Sequence, residues 1–194
     1  SETIGAGTCN PLTNHQYSGD IGIPLPSIDI KICDDDGNEV ALGEVGEVCI
    51  KGDNVTRGYH NIDNSDYFSP DGYLKTGDVG MMLQNGHIKL LDRKKDMLIV
   101  SGFNVYPTEI EAILLTHPKV QECAVIGIDD AMQGQSVKAY IVKADDSLTV
   151  DELKTFSHEQ LIGYKRPRHY AFIEQLPKTA VGKIQKTQLR LIDQ

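Results

Sequence analysis

Ile28, Ile30 and Ile32 alternate with Asp29 and Lys31, the period of a half-buried strand. Asp34 to Asn38 then turn the chain, with Gly37 free to take a positive φ. A second strand is expected over 46–51. Residues 73–83 and 87–91 read as two strands joined by Gln84-Asn85-Gly86, where Asn-Gly marks a hairpin. Residues 1 to about 27 are rich in Gly, Pro, Asn and Thr and read as loop. The texture changes at Asp92-Arg93-Lys94-Lys95-Asp96, five consecutive charges between apolar strands, which suit an exposed connector.

Beyond that connector, helix and strand signals mix. Thr108 and Glu111 have capping-box spacing, and Ile110, Ile113 and Leu114 share one helical face until Pro118. Apolar strands are expected over 122–128 and 137–142. A second helix is expected behind the Thr149/Glu152 capping box, with Leu153, Phe156 and Leu161 turned inward. A short strand over 169–173, a loop over 177–182 and a terminal helical stretch complete the pattern. The expectation is a β-rich part over 1–92 followed by a small α+β part over 93–194.

The 40% of hydrophobic and 24% of charged residues are a globular mixture. The net charge of −9 argues against nonspecific nucleic-acid binding, which runs on positive charge. Cys9, Cys33, Cys49 and Cys123 form no CxxC pair, so they are expected to be reduced, mostly buried thiols of a cytoplasmic protein. No apolar run approaches bilayer length, and no signal peptide opens the chain. The opening Ser-Glu-Thr-Ile-Gly reads like the middle of a longer protein.

Three stretches are too specific to be generic: Gly72 to Asp78 (GYLKTGD), Asp92 to Phe103 (DRKKDMLIVSGF) and Pro177 to Ile184 (PKTAVGKI). In this order they resemble the adenylate-forming superfamily of acyl-CoA synthetases, luciferases and peptide-synthetase adenylation domains. Gly46-Glu47-Val48 through Gly58-Tyr59-His60-Asn61 fits the same pattern, and Ser1-Glu2 matches the end of its Tyr-Gly-x-Thr-Glu segment. Residues 92–111 and 163–170 look most like bacterial long-chain fatty-acid-CoA ligases. The resemblance implies an α+β fold: the β-rich end of an N-terminal adenylation domain, then a C-terminal lid domain. It also implies a two-step reaction. A fatty-acid carboxylate attacks the α-phosphate of ATP, and the thiol of coenzyme A then displaces AMP.

Carried over residue by residue, Lys183 matches the catalytic lysine that contacts carboxylate and phosphate oxygens, fixed positive charge for a step that gathers anions. Asp78 and Arg93 match the contacts to the ATP/AMP ribose. Lys95 sits at the hinge about which the lid rotates between the two steps. Ser101, Gly102 and Phe103 match the segment facing coenzyme A, where Gly102 gives a pantetheine arm room to pass. Ile99 and Ser101 stand where some plant ligases carry lysines, which favours the fatty-acid branch. Glu2 matches the Mg²⁺ ligand, and Ser1 a hydroxyl that reaches phosphate. Lys165, Arg166, Arg168 and His169 form a basic patch that suits the phosphates of coenzyme A or peripheral contact with an anionic membrane.

The family's Gly/Ser/Thr-rich phosphate loop, acyl pocket and adenine segment appear nowhere in the sequence. The expected partners are therefore ATP, coenzyme A, a fatty acid and the missing N-terminal domain of the same protein, and the chain alone should not adenylate. Two other readings stand beside the fatty-acid ligase. One is a fatty-acyl-AMP ligase that loads a carrier protein. The other is a non-catalytic binding module, in which Lys183 would be dispensable.

Overall fold

The computed structural model describes residues 2–12 and 18–192. The chain divides into two compact units, Ser1–Lys95 and Asp96–Gln194. Lys95, the residue expected at a hinge, is thus the last residue of the first unit.

The first unit is built on a four-stranded antiparallel meander, in spatial order β3 (Ile28–Cys33), β4 (Val45–Gly52), β5 (Leu74–Met82) and β6 (Ile88–Arg93). Register explains the alternation in the sequence. Ile30 pairs with Ile50 and Ile32 with Val48, so their side chains share one face. With Leu74 and Ile88 they form the buried core of this unit. The opposite face of the same strands carries Lys31, Cys33, Glu47 and Cys49. The opening segment is not wholly loop. Thr8–Cys9 (β1) and Ile23–Pro24 (β2) pair as a two-stranded antiparallel ladder. Asp92 and Arg93 belong to β6, not to a connector, and only Lys94–Asp96 turn as a 3-10 helix.

The second unit is a five-stranded sheet with helices on both faces. Its strands are β7 (Leu98–Val100), β8 (Phe103–Val105), β9 (Val120–Asp130), β10 (Gly134–Lys143) and β11 (His169–Phe172). β10 pairs with β9 antiparallel along its whole length and with β11 in parallel. β9 and β10 read as near-continuous apolar runs because both faces are covered. Val125, Val137, Ala139 and Ile141 pack on one side with Ile110 and Leu114 of α1 (Pro107–Leu114) and Leu153 of α2 (Val150–Gln160). Ala124, Ile126, Tyr140 and Val142 pack on the other side with Leu189 of α3 (Lys186–Ile192). Ile110 is fully buried. Ile110→Ala is therefore expected to destabilise this unit by about 2–5 kcal/mol, read as a lower denaturation midpoint with an unchanged slope.

The two capping boxes have different outcomes. Thr149 is the N-cap of α2, and its hydroxyl accepts the Glu152 N–H at 3.2 Å. Glu152 does not reach back; it pairs with Lys119 at 3.0 Å. The Thr108/Glu111 box does not form. Pro107 opens α1 one residue before Thr108, and the N-cap is Tyr106, without a side-chain cap. Glu111 instead accepts the Val125 N–H at 2.7 Å. Helix α1 also ends at Leu114, before Pro118. The β7–β8 hairpin adds a strand that the apolar pattern leaves hidden. Of the cysteines, Cys33, Cys49 and Cys123 are buried thiols and Cys9 is exposed.

Candidate functional site

On the polar face of the first unit's sheet lies a cleft of about 660 Å³. Its walls include Glu2, Cys33, Glu47, Cys49, Tyr59, Thr76, Asp78, Arg93 and Lys94. A bulge shapes its floor. Glu47 pairs with Val79 and Cys49 with Lys75, so Thr76, Gly77 and Asp78 face Val48 alone. Bulges of this kind re-aim side chains and recur beside active sites. Thr76 holds the bulge, donating to the Val48 carbonyl at 2.7 Å and accepting the Asp78 N–H at 3.1 Å. Gly77 sits at φ +71°, a conformation that side chains other than glycine's rarely take, and its N–H donates to Glu47 Oε1 at 3.0 Å.

Asp78 and Arg93 face each other across β5 and β6, and Arg93 Nε lies 3.0 Å from Asp78 Oδ1. Burial pushes the Asp78 carboxyl above the ordinary aspartate range. Arg93 opposes that shift, and Glu47 adds a smaller push in the same direction as burial. Two further groups belong to this network and were not singled out from sequence. Glu47 Oε2 holds Lys94 Nζ at 3.0 Å, and Lys94 also reaches Asp35 at 2.9 Å. These contacts, Asp35 foremost, hold the Lys94 ammonium above its usual range. The signal was present: period-two alternation puts Glu47 and Cys49 opposite the core face that Val48 and Ile50 define.

Glu2 lies in the same cleft and accepts a hydrogen bond from the Tyr59 hydroxyl at 3.2 Å. Among the described residues no group of three or more His, Cys, Asp or Glu is placed to hold a metal ion. A lone carboxylate still fits Mg²⁺ delivered on phosphates, since that ion takes one or two carboxylates and completes its shell with phosphate oxygens and water. Ser1 lies outside the described residues.

The other candidates sit in the second unit. Lys183 is exposed just after the turn of a small hairpin bridged at Lys178 and Ile184. The Thr179 N–H donates to the Lys183 carbonyl at 2.8 Å, and the Lys183 N–H to the Thr179 hydroxyl at 3.1 Å. Ser101 and Gly102 form the two-residue turn between β7 and β8, at φ +52° and +82°. Two successive positive values mark the hairpin turn that matches strand twist. Phe103 follows, half exposed and stacked on Tyr164 with ring centres 4.5 Å apart. The basic patch is largely committed elsewhere. Lys165 pairs with Glu109 at 2.7 Å. Arg166 donates to the Leu161 and His158 carbonyls at 2.8 and 3.1 Å, closing the end of α2. Arg168 and His169 are exposed.

Fold and motifs together define the class: the chain belongs to the AMP-binding enzyme family, the adenylate-forming superfamily that its motifs resemble. Residues 1–60 match the family model for the AMP-binding enzyme, and residues 109–183 match that for the AMP-binding enzyme C-terminal domain. The long-chain-fatty-acid–CoA ligase of Salmonella typhimurium strain LT2 is 46% identical over 97% of this chain and 35% of its own length. The 2-succinylbenzoate–CoA ligase of Bacillus licheniformis is 41% identical over 94% of this chain and 38% of its own. ATP-bound MatB from Rhodopseudomonas palustris superposes with a TM-score of 0.91 at 34% identity, covering 98% of this chain and 39% of that one. The chain thus spans about a third of the length of the curated relatives it matches. No helix among the described residues is long and apolar enough to cross a membrane.

Proposed function

We propose that this chain is the C-terminal part of an ATP-dependent fatty acid:CoA ligase, which forms an acyl-adenylate and then an acyl-CoA thioester. The observation that carries the reading is the Asp78–Arg93 pair at the bulge, set in a cleft of nucleotide size. Asp78 accepts hydrogen bonds from the ribose hydroxyls, and Arg93 donates to the same sugar. Glu2 would hold the Mg²⁺ that accompanies the phosphates, and the sequence match assigns the Ser1 hydroxyl a phosphate contact. Lys183 reaches the carboxylate and α-phosphate oxygens in the first step. Lys95 is the hinge, and Ser101, Gly102 and Phe103 meet coenzyme A in the second step. The fatty acid, ATP and coenzyme A are substrates of the whole protein, whose N-terminal part supplies the phosphate loop and acyl pocket. Without those groups held in place the chain by itself is inactive.

The Salmonella relative's name supports a long-chain acyl substrate. The 2-succinylbenzoate relative, almost as similar, keeps an aromatic acid as the competing substrate class. The test is pyrophosphate release and acyl-CoA formation by the full-length protein with ATP, Mg²⁺, coenzyme A and a panel of fatty and aromatic acids. Turnover of aromatic acids alone overturns the fatty-acyl assignment. Acyl-AMP without acyl-CoA transfers the reading to carrier loading.

In that assay Asp78→Asn is expected to raise the KM for ATP about tenfold or more, the worth of a charge-assisted hydrogen bond. Thermal stability should not fall. A carboxyl whose folded pKa lies above its unfolded value contributes less stability as pH rises between the two, so removing its charge removes a cost. For the wild type the sign is reversed in binding. The carboxylate protonates at a higher pH than an ordinary aspartate, so ATP affinity weakens earlier as pH falls. A wild-type KM for ATP in the Asp78→Asn variant would sink the ribose assignment.

A further inference from the structure

Helix α3 starts three residues after Lys183 and spans seven of the described residues, a stretch too short to hold itself in water. Its first residue is Lys186, a cation at the end of a helix where the dipole disfavours one. The side chain is nearly buried, and it lies 2.8 Å from Glu111 Oε1 of α1, which is equally buried. That same oxygen accepts the Val125 N–H of β9 at 2.7 Å. One carboxylate therefore ties the start of α3 to α1 and to the central sheet. Farther along α3, Leu189 is fully buried and Arg190 pairs with Asp96 at 2.8 Å. The base of the Lys183 hairpin abuts this anchor, where the Gln185 N–H donates to the Pro177 carbonyl at 2.8 Å.

We propose that Lys186 and Glu111 are positioning residues: their largely buried ion pair fixes the base of the 177–185 hairpin and so sets where the Lys183 ammonium can reach. The catalytic consequence rests on the role of Lys183 proposed above. Position matters because misplacing a reacting group by about 1 Å can cost about 10²-fold in rate. Packing by Leu189 holds the far end of α3, whereas the ion pair holds the end next to the hairpin.

Amide hydrogen exchange on the chain itself decides the positioning claim. Glu111→Gln keeps an oxygen for the Val125 N–H but removes the charge. It is expected to raise exchange at Gly182, Lys183 and Gln185 at least tenfold while Ile126 and Tyr140 exchange as before. Lys186→Arg, which keeps the pair, should exchange at the hairpin like the wild type. The neutral double variant Glu111→Gln/Lys186→Met is expected to recover thermal stability, since buried pairs are often replaceable by uncharged groups, yet to leave the hairpin exchanging fast. In the full-length protein the same double variant should lose about tenfold in kcat for pyrophosphate release at unchanged KM for ATP. Unchanged hairpin exchange in Glu111→Gln overturns the proposal, as does a rise spread evenly over the whole unit. So does a double variant whose kcat returns with its stability. If wild type releases no pyrophosphate, the ligase reading falls, and the exchange data still settle whether the pair orders the hairpin.

Discussion

Lys183→Ala in the full-length protein is expected to slow pyrophosphate release by about 10²–10³-fold, the usual cost of removing one fixed donor from a site where negative charge gathers. The variant should melt with the wild type. The hairpin that carries Lys183 is closed by backbone and Thr179 bonds, none of which uses the lysine side chain. Among the described residues no hydrogen bond or ion pair engages the Lys183 side chain, so its removal orphans nothing. Activity and stability therefore separate cleanly at this position. Thioester formation from preformed acyl-AMP should be nearly untouched, because the proposed role gives this charge to the first step. A variant that adenylates at the wild-type rate would end the assignment and favour the non-catalytic reading. One that loses both half-reactions together with its melting temperature would place Lys183 in the architecture.

The strands were legible in sequence wherever burial was one-sided. Ile28 to Ile32 announce their core face by alternation alone, and the Asn85-Gly86 turn fixes the next hairpin. The second unit was harder for a physical reason: β9 and β10 are covered on both faces, so their apolar runs carry length but no period. The hairpin over 98–105 hides because its buried residues, Leu98, Val100 and Val105, are split by a turn and flanked by exposed Ile99 and Phe103. Local cap patterns misled once. Thr108 and Glu111 have the right spacing, but Pro107 opens the helix earlier and a tertiary partner claims the Glu111 carboxylate. The candidate site divides in the same way. Asp78 and Arg93 were found by motif, well apart in sequence and directly opposite in the sheet. Alternation puts Glu47 on the polar face of its strand, but nothing in a single sequence says that this carboxylate and Lys94, a residue beyond β6, share a cleft.

Gly102→Leu tests the other half of the reaction. Gly102 lies at φ +82°, next to Ser101 at +52°, in the turn of the β7–β8 hairpin. A side chain at this position would meet nothing within 4 Å in the structure, so the structure's own demand for glycine comes from the backbone angle, and the proposed passage of coenzyme A would add a second. Leucine therefore introduces about 1–3 kcal/mol of strain in the turn, together with bulk on an open surface. In the full-length protein acyl-AMP formation is expected to persist within about threefold. Thioester formation should fall on the order of 10²-fold, as a reacting group is displaced from its path. Gly102→Asn separates the two causes, because asparagine tolerates the left-handed region and relieves most of the strain. If Gly102→Asn melts like wild type and still loses the thioester step, side-chain bulk on the path of the pantetheine arm is responsible. If Gly102→Leu loses stability and both half-reactions in equal measure, Gly102 is a turn glycine and coenzyme A passes elsewhere.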